Sequence, residues 1–248
     1  MGAFLTTMKL REWIEKLKDK WQKVGYTCDV CGGEVFDYPT PRLCTDCQAV
    51  LIKNERFACE KCGRAAVTEG ICAACKAEMP AFDKGFSPYV YHGEVAGVVN
   101  RLKRGEAFLS LFFAEEMAKK IMQSGIDLNG AVVTFVPLDN RKRRTRGYDQ
   151  AEKLAKEIAK LTGLPMEKLL LCLGKSEQQK ELTRLERRKN VEGMYRVVER
   201  KRAKGKTVLL VDDIMTTGAT GNECAVRLKK AGADKVYFVT AAALPERK

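Results

Sequence analysis

The segment VLLVDDIMTTGAT, residues 208–220, joins three chemically different parts in one short stretch. A run of apolar residues ends in two adjacent carboxylates, Asp212 and Asp213, and a turn that contains hydroxyl groups and a glycine follows. The apolar run predicts a buried strand over 207–211, and the pattern after the turn predicts a helix over 219–231. A ligand of this segment has to satisfy carboxylates and a phosphate-binding turn at the same time.

The turn between the predicted strand and helix has the composition of a phosphate-binding loop. It consists of Thr216, Thr217, Gly218, Ala219 and Thr220. Backbone N–H groups at a helix start have no intrahelical acceptors, and the helix dipole favours an anion there. Glycine permits close backbone approach, and threonine hydroxyls add donors. The preceding carboxylates would accept hydrogen bonds from ribose hydroxyls or attract Mg²⁺, so ribose 5-phosphate fits both parts. A solvated strand end is the plain alternative for the carboxylates.

Strands and helices alternate on both sides of this segment. The patterns predict a short strand at Tyr89–Tyr91, helices over 94–104 and 107–124, a buried strand over 131–138, a helix over Asp149–Leu161, and a last strand over 235–241. Asp149 is the expected N-cap of its helix, and Gly163 is expected just past its end. The alternation predicts an α/β fold with a largely parallel sheet flanked by helices, in which ligands bind at the carboxyl ends of the strands.

Positive charge is concentrated in one part of the chain. The 248 residues carry a formal net charge of +13, and residues 139–206 hold 21 basic and 10 acidic residues. Such a surface suits nucleic acid or a polyanionic small molecule, although many of these side chains are also explained as solvated helix faces. The aromatic residues in this stretch are few, Tyr148 and Tyr195. A dedicated platform for stacking nucleic-acid bases is therefore not expected.

Five basic residues follow the predicted strand 131–138 and are expected in a loop at the same sheet edge as the carboxylates. They are Arg141, Lys142, Arg143, Arg144 and Arg146. A diphosphate needs cationic donors of this kind, and nucleic acid is a second candidate ligand for them. A solvated charge run is the alternative, since not all five side chains can face inward.

Eight of the ten cysteines form four CxxC pairs. They are Cys28 and Cys31, Cys44 and Cys47, Cys59 and Cys62, and Cys72 and Cys75. The spacing favours metal over disulfides, and a glycine after the first pair of each half is typical of zinc ribbons. Four thiolates leave no open coordination position, so the expected role is structural, with two zinc ions the simplest count. Both a sequential and a crossed assignment of the pairs satisfy the sequence.

The chain divides into three predicted parts: an amphipathic helix within 1–25, a small zinc-ribbon-like domain over 26–80, and the α/β domain over 81–248. The N-terminal helix is expected to pack on a neighbouring domain, or to dock a partner or a membrane surface. The start of the sequence lacks the apolar core of a signal peptide, and no apolar run approaches a membrane span. A cytoplasmic protein is therefore expected.

VLLVDDIMTTGAT resembles the motif with which type I phosphoribosyltransferases bind phosphoribosyl diphosphate (PRPP). In that family the adjacent acidic residues hold the ribose hydroxyls and the loop holds the 5′-phosphate. The resemblance implies that Asp212 and Asp213 act at the reaction centre and that residues 216–220 bind the phosphate, with Mg²⁺ bound alongside PRPP.

Two further stretches resemble the ComF family of competence proteins. FVPLDNRKRRTRGYDQAEKLA (135–155) is similar to its VPxP…RGFNQAxxLA stretch, and QKELTRLERRKN (179–190) is similar to its QxxLxxxERxxN stretch. The CxxC pairs resemble its zinc finger. Two positions depart from the pattern, Phe135 in place of a proline and Asp149 in place of an asparagine. The resemblance gives Arg146 the strongest claim among the basic residues, and it adds Arg187 as a contact for diphosphate or nucleic acid.

The ComF resemblance implies a PRPP-binding protein that acts in DNA uptake or handles single-stranded DNA, with a helicase-like partner. The alternative is a catalytic phosphoribosyltransferase of nucleotide metabolism or base salvage without a DNA role. In a transferase, Mg²⁺ and cationic side chains would stabilise the departing diphosphate while a nitrogen nucleophile attacks, and the protein would contribute positioning and electrostatics. Only about seven residues follow the last predicted strand. The sequence therefore shows no hood of the kind that holds the acceptor base in classical members.

Overall fold

The computed structural model describes residues 27–35, 42–55, 57–174 and 192–246. Its main sheet has the order β1-β7-β6-β3, with β2 also paired to β7, and every pairing is parallel. The strands are β1 (Lys84–Phe86), β2 (Tyr89–Val90), β3 (Val132–Phe135), β6 (Thr207–Met215) and β7 (Lys235–Ala243). A separate antiparallel pair consists of β4 (Leu170–Cys172) and β5 (Tyr195–Val197). The prediction of a largely parallel α/β sheet is confirmed.

The described helices include the four that the apolar periodicity predicts, which are the third, fourth, sixth and eighth along the chain, and four shorter ones. They are α1 (Thr45–Val50), α2 (Ala73–Ala77), α3 (Gly93–Lys103), α4 (Leu109–Gln123), α5 (Asn140–Arg146), α6 (Gln150–Thr162), α7 (Arg200–Ala203) and α8 (Ala219–Lys230). Asp149 caps α6 by accepting hydrogen bonds from the backbone N–H groups of Ala151 and Glu152, and Gly163 ends it in the left-handed region. These capping residues agree with the sequence pattern.

The sheet is the middle layer of three, because alternate residues of its central strands enter different cores. Leu209 and Val211 of β6 pack with α3, α4 and α6 in one core. Val208 and Leu210 pack with α8 and with the β4–β5 pair in the other. All four side chains are fully buried. Burying a Val or Leu side chain contributes about 1.5–3 kcal/mol, so this strand anchors both layers.

Two segments differ from the prediction at the functional edge. Strand β6 extends past the predicted end at residue 211 to Met215, because β7 pairs with it as far as Ala243. The segment after β3, predicted as a loop, is the helix α5. Asp139 caps this helix and Gly147 ends it in the left-handed region at φ 77°. Both are ordinary helix boundary signals, which outweigh the repulsion between the helix's own basic residues.

The two halves of the cysteine segment pack on opposite faces of the sheet. Cys28 and Cys47 belong to the core on the α4 face, whereas Cys59, Cys62 and Cys75 belong to the core on the α8 face. The boundary at residue 80 stays a prediction, and the predicted N-terminal helix in 1–25 lies outside the described residues. Within the described ranges, no helix is both long enough and apolar enough to pass through a membrane.

Candidate functional site

Asp212 and Asp213 lie in β6 beyond the point where its neighbour β3 ends. The β3 pairing stops at Phe135, which lies opposite Val211. Each carboxylate accepts a hydrogen bond from the backbone N–H of the next residue: Asp213 N–H to Asp212 Oδ1 at 2.8 Å, and Ile214 N–H to Asp213 Oδ1 at 2.7 Å. These bonds fix both side chains at the carboxyl edge of the sheet, where a ligand of a parallel sheet is expected.

The two aspartates have different electrostatic surroundings. Burial, followed by the negative charge of Asp213, raises the pKa of Asp212 well above its usual range. Asp213 instead has a cationic partner, since Lys103 Nζ lies 3.4 Å from its Oδ2. The side chains of this pair are only 18% and 14% exposed. The raised pKa means that Asp212 ionises reluctantly in the free site, and a cation such as Mg²⁺ or the hydroxyl donors of a sugar would favour its carboxylate form.

Lys103 is a site residue that the sequence analysis missed. It is the last residue of α3 and reaches the aspartates only because α3 packs on the sheet. The signal in the sequence was a basic residue directly before a glycine-containing turn at a helix end. That signal is too common to identify a binding residue.

The turn after β6 leads directly into the start of α8, where the first backbone N–H groups have no intrahelical acceptors. Gly218 adopts φ 85°, a conformation that favours glycine, and directly precedes α8. The backbone N–H of Ala219 bonds to Thr217 Oγ1 at 3.2 Å, while Thr216 and Thr217 are exposed. A side chain at Gly221 would collide with the Phe238 ring, at 2.4 Å from its Cβ position. The absence of a side chain there lets the first turn of α8 lie directly against β7, with its N–H groups at the open sheet edge.

The predicted basic residues after β3 occupy helix α5 at the same edge. Val136 N–H bonds to the Val211 carbonyl at 2.9 Å, so the chain leaves β3 next to the aspartates. Of the five predicted cations, only Arg146 is half-buried; Arg141, Lys142, Arg143 and Arg144 are exposed. Arg143 pairs with Glu152 of α6 at 3.3 Å. Arg187 lies outside the described residues.

Asp149 has a structural environment. It is 3% exposed, and besides capping α6 it accepts a hydrogen bond from the Leu138 backbone N–H at 2.8 Å. Burial raises the pKa of its carboxyl. The residue thus connects the start of α6 to the chain leaving β3, and all of its described partners are backbone groups. This role explains how an acidic residue is accommodated beside an anion-binding edge.

The first four-cysteine group is made of Cys28, Cys31, Cys44 and Cys47, whose sulfur atoms all lie within 4.8 Å of one another. Cys31 Sγ and Cys44 Sγ are 3.7 Å apart. A tetrahedral zinc ion with Zn–S bonds of about 2.3 Å separates its sulfurs by about 3.8 Å, so the group has room for such an ion.

The first four-cysteine group is tied to the helices beside the candidate site. Arg42, next to it, donates to Glu115 of α4 at 2.6 Å and to Asp29 at 3.1 Å. Arg101 of α3 donates to the Val30 carbonyl within the group. The group therefore contacts both the end of α3, where Lys103 lies, and the middle of α4.

The second four-cysteine group is made of Cys59, Cys62, Cys72 and Cys75, with sulfurs again within 4.8 Å of one another. All four residues are buried. Burial opposes ionisation of Cys59, but backbone N–H groups, first those of Cys62 and Cys72, lower its pKa to about 7. Both groups consist of consecutive CxxC pairs, so the sequential assignment is the one that the structure supports. Either group could hold a metal ion.

Arg64 connects the second four-cysteine group to the turn after β6. Arg64, 8% exposed, donates from Nε to Cys62 Sγ and from Nη2 to the Thr216 carbonyl, both at 3.3 Å. A cavity of about 220 Å³ separates the group from the turn. Its lining includes Arg64, Glu78, Glu192, Met215, Thr217 and Glu223. The group thus occupies one side of the turn, a placement that the cysteine spacing did not indicate.

Comparison with known proteins gives the class of protein. Residues 109–248 match the phosphoribosyl transferase domain family. The matched segment is more than half of the chain and includes the aspartates, the turn and α5. The protein therefore belongs to this family.

Three relatives are similar over most of both chains. Competence protein F of Haemophilus influenzae is 27% identical over 204 residues, which are 78% of this chain and 87% of that protein. Competence protein ComFC of Bacillus subtilis is 25% identical over 189 residues, covering 73% and 75% of the two chains. DNA utilization protein YhgH of Escherichia coli K12 is 25% identical over 209 residues, covering 78% and 87%. These similarities confirm the resemblance to ComF-type proteins that the motifs predicted.

Proposed function

We propose that this protein binds PRPP together with Mg²⁺ and acts, like its ComF-type relatives, in the uptake or use of DNA. The proposal rests on the order of the polar groups along β6 and the start of α8. Two carboxylates fixed at the strand end are followed directly by a turn that presents the first N–H groups of a helix. Few ligands other than a phosphorylated sugar satisfy both.

Each part of PRPP has a distinct partner in this proposal. The 5′-phosphate is bound by the turn 216–220, and the ribose hydroxyls donate to Asp212 and Asp213. Mg²⁺ would be held through the diphosphate oxygens at the aspartate edge, and it would neutralise the charge of a departing diphosphate. Arg146, half-buried at the end of α5, is the described arginine best placed to meet that diphosphate. The exposed Arg141, Arg143 and Arg144, and Arg187, are proposed contacts for diphosphate or nucleic acid.

We assign one zinc ion to each four-cysteine group, with a structural role. The sulfur separations of 3.7 and 3.8 Å match those of a tetrahedral zinc–thiolate site. Four thiolates complete the coordination of the ion, so neither site has a position for substrate. Reduced cysteines in such sites agree with the proposed cytoplasmic location.

Three relatives named for competence or DNA utilization support the DNA role. The net charge of +13 supports it independently, because basic residues supply the sequence-independent part of nucleic-acid affinity. Single-stranded DNA is the proposed nucleic acid, and a ComF helicase-like protein is the proposed partner. A role confined to nucleotide metabolism is less favoured, since it would leave both observations without an explanation.

The proposal is tested by calorimetric titration with PRPP and Mg²⁺. The parent chain is compared with the double variant Asp212→Asn/Asp213→Asn, and with Asp234→Asn as a control at an exposed aspartate between α8 and β7. We expect binding to the parent and to Asp234→Asn, and none to the double variant at equal zinc content. If the parent protein is folded and zinc-replete but does not bind PRPP, the PRPP assignment is refuted.

The DNA role has its own assay. Affinity for single-stranded DNA should fall steeply with salt, because basic side chains that bind phosphates release counterions. Neutralising Arg141 and Arg144 of α5 together should weaken binding of all DNA sequences and reduce the salt dependence. Binding that does not depend on salt, or that these substitutions leave unchanged, would argue against this surface as a DNA contact.

A further inference from the structure

Lys103 occupies the place of a ligand cation in the candidate site. Its ammonium group lies 3.4 Å from the Asp213 carboxylate, and both side chains are largely shielded from water. At such shielded positions, separating an ion pair leaves an uncompensated charge, which is far less tolerable than on an exposed surface. The pair therefore determines the charge that an incoming ligand meets.

The backbone around Lys103 is held in place. Arg101, two residues earlier, bonds to Glu106 across the turn that follows α3, and also to the Val30 carbonyl. Tyr148 lies on the other side of this turn, with its hydroxyl buried beside the Gly105 backbone. That hydroxyl makes no hydrogen bond of normal geometry to any described residue. The Arg101 contacts thus hold the turn after α3, while the Lys103 side chain keeps its flexible four-carbon stem.

The ligand that the site fits competes with Lys103 for Asp213. Oδ1 of Asp213 already accepts the Ile214 backbone N–H, so a ribose hydroxyl or Mg²⁺ that binds this carboxylate competes with the ammonium group for Oδ2. An ammonium group left without a partner in this shielded position would be costly. The diphosphate of PRPP arrives with the same ligand and supplies new negative charge beside the aspartates, so the displaced ammonium group finds a partner nearby.

We propose that Lys103 is a diphosphate-binding residue that exchanges partners: it pairs with Asp213 in the free protein and with the diphosphate when Mg²⁺ and PRPP bind. This inference rests on the proposed function of the site. In the free protein the pair keeps the carboxylate from binding a metal ion alone. Metal and PRPP are then taken up together, because the diphosphate compensates for the lost ion pair.

The test uses the full chain and two separate titrations. Mn²⁺, a paramagnetic substitute for Mg²⁺, is titrated alone, and PRPP is titrated with Mg²⁺. Lys103→Met removes the charge and keeps the stem, whereas Lys103→Arg keeps the charge. Lys229→Met is the matched control, since Lys229 is a partly buried lysine paired with Asp83 at 2.7 Å near the opposite edge of the sheet.

For Lys103→Met we expect Mn²⁺ alone to bind more tightly, because its competitor for Asp213 is gone. We expect PRPP with Mg²⁺ to bind roughly 10- to 100-fold more weakly, the loss of one charge-assisted hydrogen bond. Lys103→Arg should retain most of the PRPP affinity, and Lys229→Met should change neither titration. The opposite changes of the two affinities distinguish partner exchange from a general loss of structure.

The contrary outcomes are equally definite. If Lys103→Met binds both Mn²⁺ and PRPP more weakly than the parent, the lysine is purely structural and the inference is overturned. The inference also fails if the PRPP affinity of Lys103→Met equals that of the parent. If Asp212→Asn/Asp213→Asn abolishes PRPP binding while Lys103→Met leaves it unchanged, the proposed function stands and this inference fails. If the parent binds no PRPP, both fail.

Discussion

A buried charge cluster lies between the first four-cysteine group and α4, and we expect it to contribute strongly to the free energy of unfolding. Arg42 donates at 2.6 Å to Glu115, and the two side chains are 10% and 3% exposed. A second carboxylate, Asp29, lies 3.1 Å from the same guanidinium group. Burial favours neutral Arg42, but the hydrogen bonds and charges of the two carboxylates outweigh it and raise the pKa of Arg42.

The structure predicts unequal effects for the two single variants. Arg42→Met leaves Glu115 buried without its cation, and losing one partner of a buried pair costs about 3–5 kcal/mol. Glu115→Gln should cost less, because Arg42 keeps Asp29 and the glutamine retains a hydrogen-bonding oxygen. The double variant Arg42→Met/Glu115→Leu should recover part of the lost stability, since well-packed apolar replacements of buried ion pairs are often neutral. Recovery is partial because Asp29 stays without its cation.

The assay is urea unfolding of zinc-replete protein, with metal content measured for each variant. The coupling free energy is obtained from the parent, the two single variants Arg42→Met and Glu115→Leu, and the double variant. A cost below about 1 kcal/mol for Arg42→Met would show that the pair is solvated and contributes little. A double variant as unstable as the sum of its singles would refute the idea that an unpaired buried charge causes the loss.

Three other predictions concern the site and the elements that support it. Asp212→Asn should abolish PRPP binding yet stabilise the fold near neutral pH. Burial beside Asp213 raises the pKa of Asp212 in the folded state. The parent therefore loses stability as the pH rises above about 4, the pKa of an aspartate in the unfolded chain. The variant's advantage in unfolding free energy should disappear as the pH is lowered to that value. Gly85→Ala should cost about 1–3 kcal/mol in urea unfolding, because its Cβ would lie 2.3 Å from a backbone oxygen of the second four-cysteine group. Gly97→Ala is the control: it lies inside α3 with open space around it and should stabilise the fold by about 0.5–1 kcal/mol. Arg64→Met should lower PRPP affinity at unchanged zinc content, since the turn loses its guanidinium contact; unchanged affinity would contradict that link.

The sequence predicts the elements of the site whose signals are local. A run of apolar residues before Asp212 and a glycine before a helix are enough to place a strand and the turn that leads into the next helix. The length of β6 was not predictable from such a run, because its last residues are strand only through pairing with β7. The sequence does not predict helix α5, although Asp139 and Gly147 mark its ends, because a run of five cations is equally typical of a binding loop.

Contacts between distant residues account for what the sequence left open. Lys103 meets Asp213 only when α3 packs on the sheet, and no periodicity encodes that meeting. The division of the cysteine segment between two faces of the sheet is of the same kind. The CxxC spacing predicts a local metal-binding turn. It does not predict which residues pack around that turn, because this depends on the core that the adjacent apolar residues enter.

The two four-cysteine groups lie on opposite faces of the sheet and contact the two sides of one ligand edge. The first holds the end of α3 through Arg101, next to the lysine that pairs with Asp213. The second holds the turn after β6 through Arg64. In small metal domains the free energy of metal binding contributes directly to folding, so ions in these groups would stabilise both contacts. Each group therefore holds one of the two elements next to the aspartates, α3 through Arg101 and the turn after β6 through Arg64, so loss of either ion should loosen a different side of the same sheet edge.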